Sequence, residues 1–286
     1  MAVAMQWDPM LVGIAALFGL LVGSFLNVVI HRLPLMMERQ WAAEAAALPA
    51  AGGTEDAFNL MVPRSRCGHC GHAIAWFENI PVASYLVLRG HCAACKKPIG
   101  LRYPLVEIAS AVIGGYCAAR WGFSMSAVAW FGFATCLLAL ALIDWDTMLL
   151  PDDLTLPLLW AGLLASQLHW TAVSLPDALW GAVGGYLSLW LIYWGFKLLT
   201  GKEGMGYGDF KLFAALGAWF GWQALVPVIL MASVIGAVIG IAMKLRSSLR
   251  EGGYIPFGPF LAGAGLSAMV FGPQAVLSAV GLSAFP

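Results

Sequence analysis

The sequence predicts an all-α polytopic membrane protein of about eight transmembrane helices, with a small zinc-ribbon-like four-cysteine domain inserted after the first helix. Three observations predict it. Apolar residues make up 61% and charged residues 10% of the 286, against about 45–50% and about 25% in ordinary soluble domains. Charge-free stretches of the roughly 20 residues needed to cross a bilayer as a helix recur along the chain. Two C-x2-C pairs stand in its one long polar segment. So few charges cannot cover a soluble surface, and a formal net charge of +0 gives no field toward nucleic acid. A soluble enzyme, a disordered chain and a nucleic-acid-binding domain are excluded; the bilayer is the expected surrounding.

Met10–Ile30, Ser124–Ile143, Ala178–Phe196 and Ala224–Met243 contain no Asp, Glu, Lys or Arg. Three weaker segments, Leu105–Ala119, Leu154–Leu168 and Phe210–Trp222, fill the gaps, and the tail from Phe257 is long enough for one more. Met10–Ile30 exceeds a signal-peptide core and is flanked by Asp8 before it and His31 and Arg32 after it, so it is read as a retained span. The chain then divides into a first transmembrane helix (1–30), a loop domain (31–104) and a membrane-embedded domain of about seven helices (105–286). Orientation follows from the basic residues. The loop carries Arg32, Arg39, Arg64, Arg66, Arg89, Lys96, Lys97 and Arg102. With that loop in the cytoplasm, threading places Arg120 alone outside. The acidic stretch Asp144–Asp153, the segment Lys197–Asp209, and Lys244, Arg246 and Arg250 all fall inside.

Cys67, Cys70, Cys92 and Cys95 form CGHC and CAAC knuckles. Each knuckle brings two thiolates from one tight turn, and four thiolates suit one tetrahedral zinc ion in a closed, structural site. Gly68, Gly71 and Gly90 suit the turns. The alternatives are two disulfides or four independent thiols, but a basic cytoplasmic loop is reducing territory. His69, His72 and His91 are spare ligands or solvent-facing. Iron in the same four sulfurs stays open. Cys117 and Cys136 read as buried small hydrophobes, and Glu38–Asp56 as a helix or linker.

IDWDTMLLPDD places Asp144, Asp146, Asp152 and Asp153 at the inner end of one span, and GMGYGDFK places Asp209 at the inner end of another. Acids at bilayer depth are costly and usually functional. Two carboxyls about 3 Å apart cannot both ionise. The ionised one then activates water against a peptide carbonyl while the protonated one donates to the carbonyl oxygen. Gly206 and Gly208 permit a tight helix start where a substrate backbone can approach. Asp152 after Pro151 also reads as a helix N-cap, Asp209 likewise, and a proton relay, an ion site or a proton-coupled transporter competes with the peptidase reading. A zinc-stapled scaffold without activity is a fourth reading; it requires Asp144 and Asp209 to be dispensable.

Three motifs in order, GSFLNVVIHRLP (Gly23–Pro34), the paired C-x2-C knuckles, and IDWDTMLLPDDLTLP with GYGDFK, resemble the type IV prepilin peptidases over nearly the whole chain. The last is similar to the GxGD signature of intramembrane aspartyl proteases. The resemblance implies a bifunctional enzyme of the bacterial inner membrane. It would cut the basic leader from type IV prepilins and type II secretion pseudopilins at the cytoplasmic face, after a glycine. It would then methylate the new N-terminal residue, commonly Phe, with S-adenosylmethionine. The implied catalytic pair is Asp209 and the aspartate before the Leu-Pro-Asp turn. Spacing selects Asp144 over Asp146, and Asp144 also lies nearer the membrane core. Charge complementarity suggests that Asp146, Asp152 and Asp153 attract the leader. A peptidase without methylation fits the same residues. No G-x-G-x-x-G follows a strand signal. Gly23, Ser24, Asn27 and Arg32 are candidates for the methylation site, with helix packing and an interfacial snorkel as their plainer roles. Glu107 is an intramembrane acid whose expected partner is Arg102 or Lys97, or the cofactor site.

Overall fold

The computed structural model describes residues 8–45, 58–202, 204–245 and 255–275. Among them are eight long helices and one short one: α1 (Pro9–Ala45), α2 (Ala83–Val87), α3 (Arg102–Trp121), α4 (Met125–Thr147), α5 (Asp152–Gln167), α6 (Leu175–Thr200), α7 (Tyr207–Phe220), α8 (Leu225–Leu245) and α9 (Gly258–Phe271). No named strand occurs among the described residues. Four helices, Pro9–Ala45, Met125–Thr147, Leu175–Thr200 and Trp222–Leu245, are long and apolar enough to cross a membrane. The others are shorter: α7, at 14 residues, is about 20 Å long against a core of about 30 Å. Arg246, Arg250 and part of the Glu38–Asp56 stretch lie outside the described residues.

The chain forms two compact units, residues 1–131 and 132–286, the division falling inside α4. In the first, α1 packs along α3. The contact is close because small residues face each other. A Cβ on Gly19 would meet the Ser110 carbonyl at 2.5 Å, one on Gly23 the Glu107 Cα at 2.6 Å, and one on Gly114 the Ala15 carbonyl at 2.5 Å. Such i, i+4 small-residue pairs let backbones approach where apolar burial gives no drive between helices. α1 does not end at Ile30 as the composition suggested; it runs on through Pro34 to Ala45. The buried Arg32 accounts for part of this. Its guanidinium donates to the carbonyls of Asn59 (2.9 Å), Leu60 (3.4 Å) and Pro63 (2.6 Å), which fixes the returning chain against the helix extension.

In the second unit α7 is the core. Asp209, Phe210 and Leu212 through Trp219 are buried, packed by α5, α6 and α9. Gly181 of α6 and Gly217 of α7 stand backbone to backbone, with no room for a Cβ on either. The buried indole of Trp219 donates to the Leu158 carbonyl at 2.9 Å, tying α7 to α5. α6 is delimited by Ser174, whose Oγ accepts the Asp177 amide, and by Gly201 in the left-handed conformation, as N-cap and C′ preferences predict.

Candidate active site and four-thiol cluster

Asp144 and Asp146 occupy the last turn of α4. Two residues are about 200° of helical rotation, so they face opposite ways: Asp144 is 5% exposed and Asp146 is exposed. Asp209, 6% exposed, occupies the first turn of α7. Asp144 lies within electrostatic reach of Asp209. Asp146 is therefore the acid the fold turns away, and Asp144 the one it brings to Asp209.

Each carboxylate is held by a backbone amide at a helix start. Asp209 Oδ2 accepts the Gly206 amide at 3.3 Å. Asp209 is thus the third residue of its helix, not the N-cap; Gly206 is. Asp144 Oδ2 accepts the Gly258 amide at 2.9 Å. Gly258 opens α9, and the free amides and dipole of that first turn favour a negative charge there. Leu150 sits between the clusters: a Cβ on Gly208 would meet it at 2.6 Å and one on Gly258 at 3.2 Å. The reading of the sequence missed Gly258. The Gly-Pro pair before an apolar run does signal a helix start, but which acid that start would face is a tertiary fact.

Asp152 is not an N-cap either. Pro151 holds that position with extended backbone, and the Asp152 carboxylate takes both contacts from Lys211, at 2.6 and 2.7 Å. This pair ties the start of α5 to α7, two residues from Asp209.

The four cysteines converge. Their sulfurs all lie within 4.8 Å of one another, with Cys67–Cys95 at 3.9 Å and Cys70–Cys92 at 4.0 Å. Four thiolates about 2.3 Å from one tetrahedral ion stand about 3.8 Å apart, whereas a disulfide needs about 2.0 Å. The set fits a metal ion and no disulfide. The knuckles match: in each, the first cysteine's amide bonds the carbonyl five residues on, Cys67 to His72 and Cys92 to Lys97, both at 2.9 Å. The residue after each second cysteine is left-handed, Gly71 at φ 71° and Lys96 at φ 58°. Amides of His69 and then Cys70 pull the Cys67 thiol down to about 6. At Cys70 the His72 amide pulls down, but burial and the other thiols prevail and raise it to about 11. None of the three histidines joins the cluster: His72 pairs with Glu78 at 3.1 Å and His91 contacts the Arg89 carbonyl at 2.6 Å.

Among the remaining candidates, Arg32 does not snorkel; it is buried on three carbonyls, as described. Asn27 donates to the Tyr103 carbonyl at 3.1 Å, and Gly23 serves packing. Glu107 pairs with neither Arg102 nor Lys97. Its carboxylate accepts the Val82 amide at 2.7 Å.

A helical membrane protein with two buried aspartates at helix ends and a four-thiol cluster is the class that fold and site define. Family comparison agrees. Residues 17–121 match the model of the bacterial peptidase A24 N-terminal domain, and residues 131–241 that of the type IV leader peptidase family. The chain belongs to this family. It is 56% identical over 269 residues to a prepilin leader peptidase/N-methyltransferase of Stutzerimonas stutzeri, covering 92% of each chain. A protein of that name from Pseudomonas aeruginosa is 56% identical over 260 residues, 90% of this chain and 89% of its own. One from Aeromonas hydrophila is 54% identical over 259 residues, again 90% and 89%. No solved structure matches the chain.

Proposed function

We propose that this protein cleaves the leader of type IV prepilins and type II secretion pseudopilins at the cytoplasmic face of the bacterial inner membrane. It then N-methylates the residue so exposed. The carrying observation is the pairing of Asp144 with Asp209, two buried carboxylates from helices 65 positions apart, each on a helix-start amide. Close relatives named for both reactions support the second step.

In the peptidase step the pair holds one proton between two carboxyls. The ionised member takes a proton from water as the oxygen attacks the scissile carbonyl, and the other donates to the carbonyl oxygen. The Gly206 and Gly258 amides each bond one Oδ2, which fixes the carboxyl planes. Proton transfer to the scissile nitrogen then breaks the C–N bond, leaving a carboxylate on the leader and a free amine on the mature chain. Leu150, wedged against Gly208 and Gly258, keeps the surroundings apolar, and low polarity strengthens both proton transfers. The Lys211 contact holds the start of α5 in place and answers the Asp152 charge, so attraction of a basic leader cannot rest on that acid in full.

Cys67, Cys70, Cys92 and Cys95 would hold a zinc ion. With four sulfurs the coordination shell is closed, so the ion supplies folding energy to the loop and no open position for chemistry. S-adenosylmethionine supplies an electrophilic methyl group on a sulfonium. Incubating the purified, detergent-solubilised protein with a prepilin and S-adenosylmethionine tests the whole reading. Mass spectrometry should show leader release, then a gain of one methyl on the mature N-terminus. An intact prepilin, confirmed accessible, after prolonged incubation would refute it.

A further inference from the structure

We propose that residues 76–88 of the loop lie in the bilayer surface, at the boundary between headgroups and acyl chains, and that the cations around them bind anionic phospholipid headgroups. The four-thiol module is then seated on the membrane rather than held off it in water. The inference goes beyond the two proposed reactions and depends on neither.

Depth is set by α1. Its charge-free stretch ends at Ile30. α3 runs beside it with Tyr103 level with Asn27 and Glu107 level with Gly23. Gly23 stands seven residues inside that end, about 10 Å along the helix axis. The Val82 amide donates to Glu107 at 2.7 Å, and Val82 borders an apolar groove together with Leu20, Ile108 and Ala111 of the two helices. The loop therefore dips beside the helix pair to a level where α1 carries no charge. Val82, at the bottom of the dip, is tucked against protein. It holds φ 59°, a left-handed conformation that a β-branched residue keeps only where its surroundings impose it.

What this segment turns outward is apolar. Trp76 is 77% exposed, Leu86 68% and Val87 81%, and Phe77 and Ile80 are exposed as well. Leu17, Leu21 and Val112, on the open sides of α1 and α3, are exposed by 61% to 65%, so the loop presents a surface like that of the spans. Its polar groups are answered internally. Ser84 Oγ donates to the Ile80 carbonyl at 2.8 Å. The amides of Ser84, Leu86 and Leu88 donate to the carbonyls of Ile80, Val82 and Ser84. Glu78 accepts the Ala75 amide at 2.8 Å and pairs with His72. Backbone near acyl chains needs such partners, because lipid offers none. Trp76 meets Phe77 edge to face, with ring centroids 5.8 Å apart, and aromatic rings of this kind collect at the membrane–water boundary.

The charge around the segment fits one surface. Residues 58–101 contain five basic side chains, Arg64, Arg66, Arg89, Lys96 and Lys97, all exposed, and one acid, Glu78, which is already paired. With four thiolates and a divalent ion counted as two negative charges, the balance stays positive. A polyanion would answer the cations alone, and an apolar helix the turn alone. An anionic leaflet answers both.

Photo-crosslinking in lipid tests the seating. p-Benzoylphenylalanine stands in place of Val87 in one variant, of Trp76 in a second, and of Phe25 of α1 in a third as the reference within the bilayer. All three side chains are exposed, so the label displaces no packing. Each full-length variant, confirmed folded and inserted, is irradiated in vesicles of phosphatidylethanolamine with phosphatidylglycerol as the minor, anionic component. Mass spectrometry then reads the adducts. Phospholipid adducts at positions 76 and 87 should come within about threefold of those at 25. Phosphatidylglycerol should make up at least about twice its vesicle share of them, an excess that Arg89→Gln with Lys97→Gln removes. A yield below that range at both positions would place the segment in water and overturn the proposal. Crosslinks running instead to residues 132–286 or to a second copy would overturn it in favour of a protein interface. Phosphatidylglycerol at no more than its vesicle share, or an excess that survives the double substitution, would overturn the binding of anionic headgroups. Prepilin cleavage is not read, so failure here leaves the proposed function standing.

Discussion

Replacing Gly258 by alanine perturbs a contact that links α9 to the proposed chemistry. The added Cβ would lie 2.5 Å from Asp144 Oδ2 and 3.1 Å from its Cγ, where ordinary contact begins at 3.4 Å. The carboxylate must retreat by about 0.9 Å. Leu150, 3.2 Å from the same Cβ, blocks part of the way. The Gly258 amide bond, 2.9 Å at rest, then stretches to about 3.8 Å and is lost. A hydrogen bond to a charged group is worth about 1.5–3 kcal/mol, which as a barrier is roughly a 10- to 100-fold loss of rate. The assay is kcat for leader release from a prepilin at saturating substrate. Gly263→Ala on the same helix is the control, since nothing lies within 4 Å of its Cβ. Wild-type kcat in Gly258→Ala, or equal losses in both variants, would refute the reasoning.

Three further outcomes are expected. Metal analysis should find one zinc per chain, lost with Cys92→Ser; since Cys70 sits near 11 and must shed its proton to bind, uptake at neutral pH releases protons and affinity falls on acidification. Lys96→Gly should stabilise the loop by about 1 kcal/mol, because lysine holds φ 58° where its symmetry mate is Gly71; a lowered unfolding midpoint of the metal-loaded protein would contradict it. Arg32→Leu strips partners from three carbonyls and should cost about 3 kcal/mol, seen as faster proteolysis near residues 59–63; an unchanged cleavage rate would contradict the docking role.

Much of this was readable in advance for physical reasons. A span announces itself by composition, so the long helices were placed within a few residues at most ends. A knuckle is local, so four sulfurs at C-x2-C spacing specify their own convergence. The end of α1 was misread because Arg32 looks interfacial until the carbonyls of residues 59–63 are seen around it. Asp152 looked like a cap because a proline precedes it, and only the fold brings Lys211 within reach. Gly258 lies 114 residues from Asp144, and no local signal spans that interval. Asp144 and Asp146 differ in helical face, and the end of α4 buries the first and exposes the second.

The most direct test of the central claim compares leader release by Asp144→Asn, Asp146→Asn and Asp209→Asn, each confirmed folded and inserted. The account predicts no detectable cleavage by the first and third and near-normal cleavage by the second. Full activity in Asp144→Asn, or loss confined to Asp146→Asn, would contradict the assignment of the buried pair.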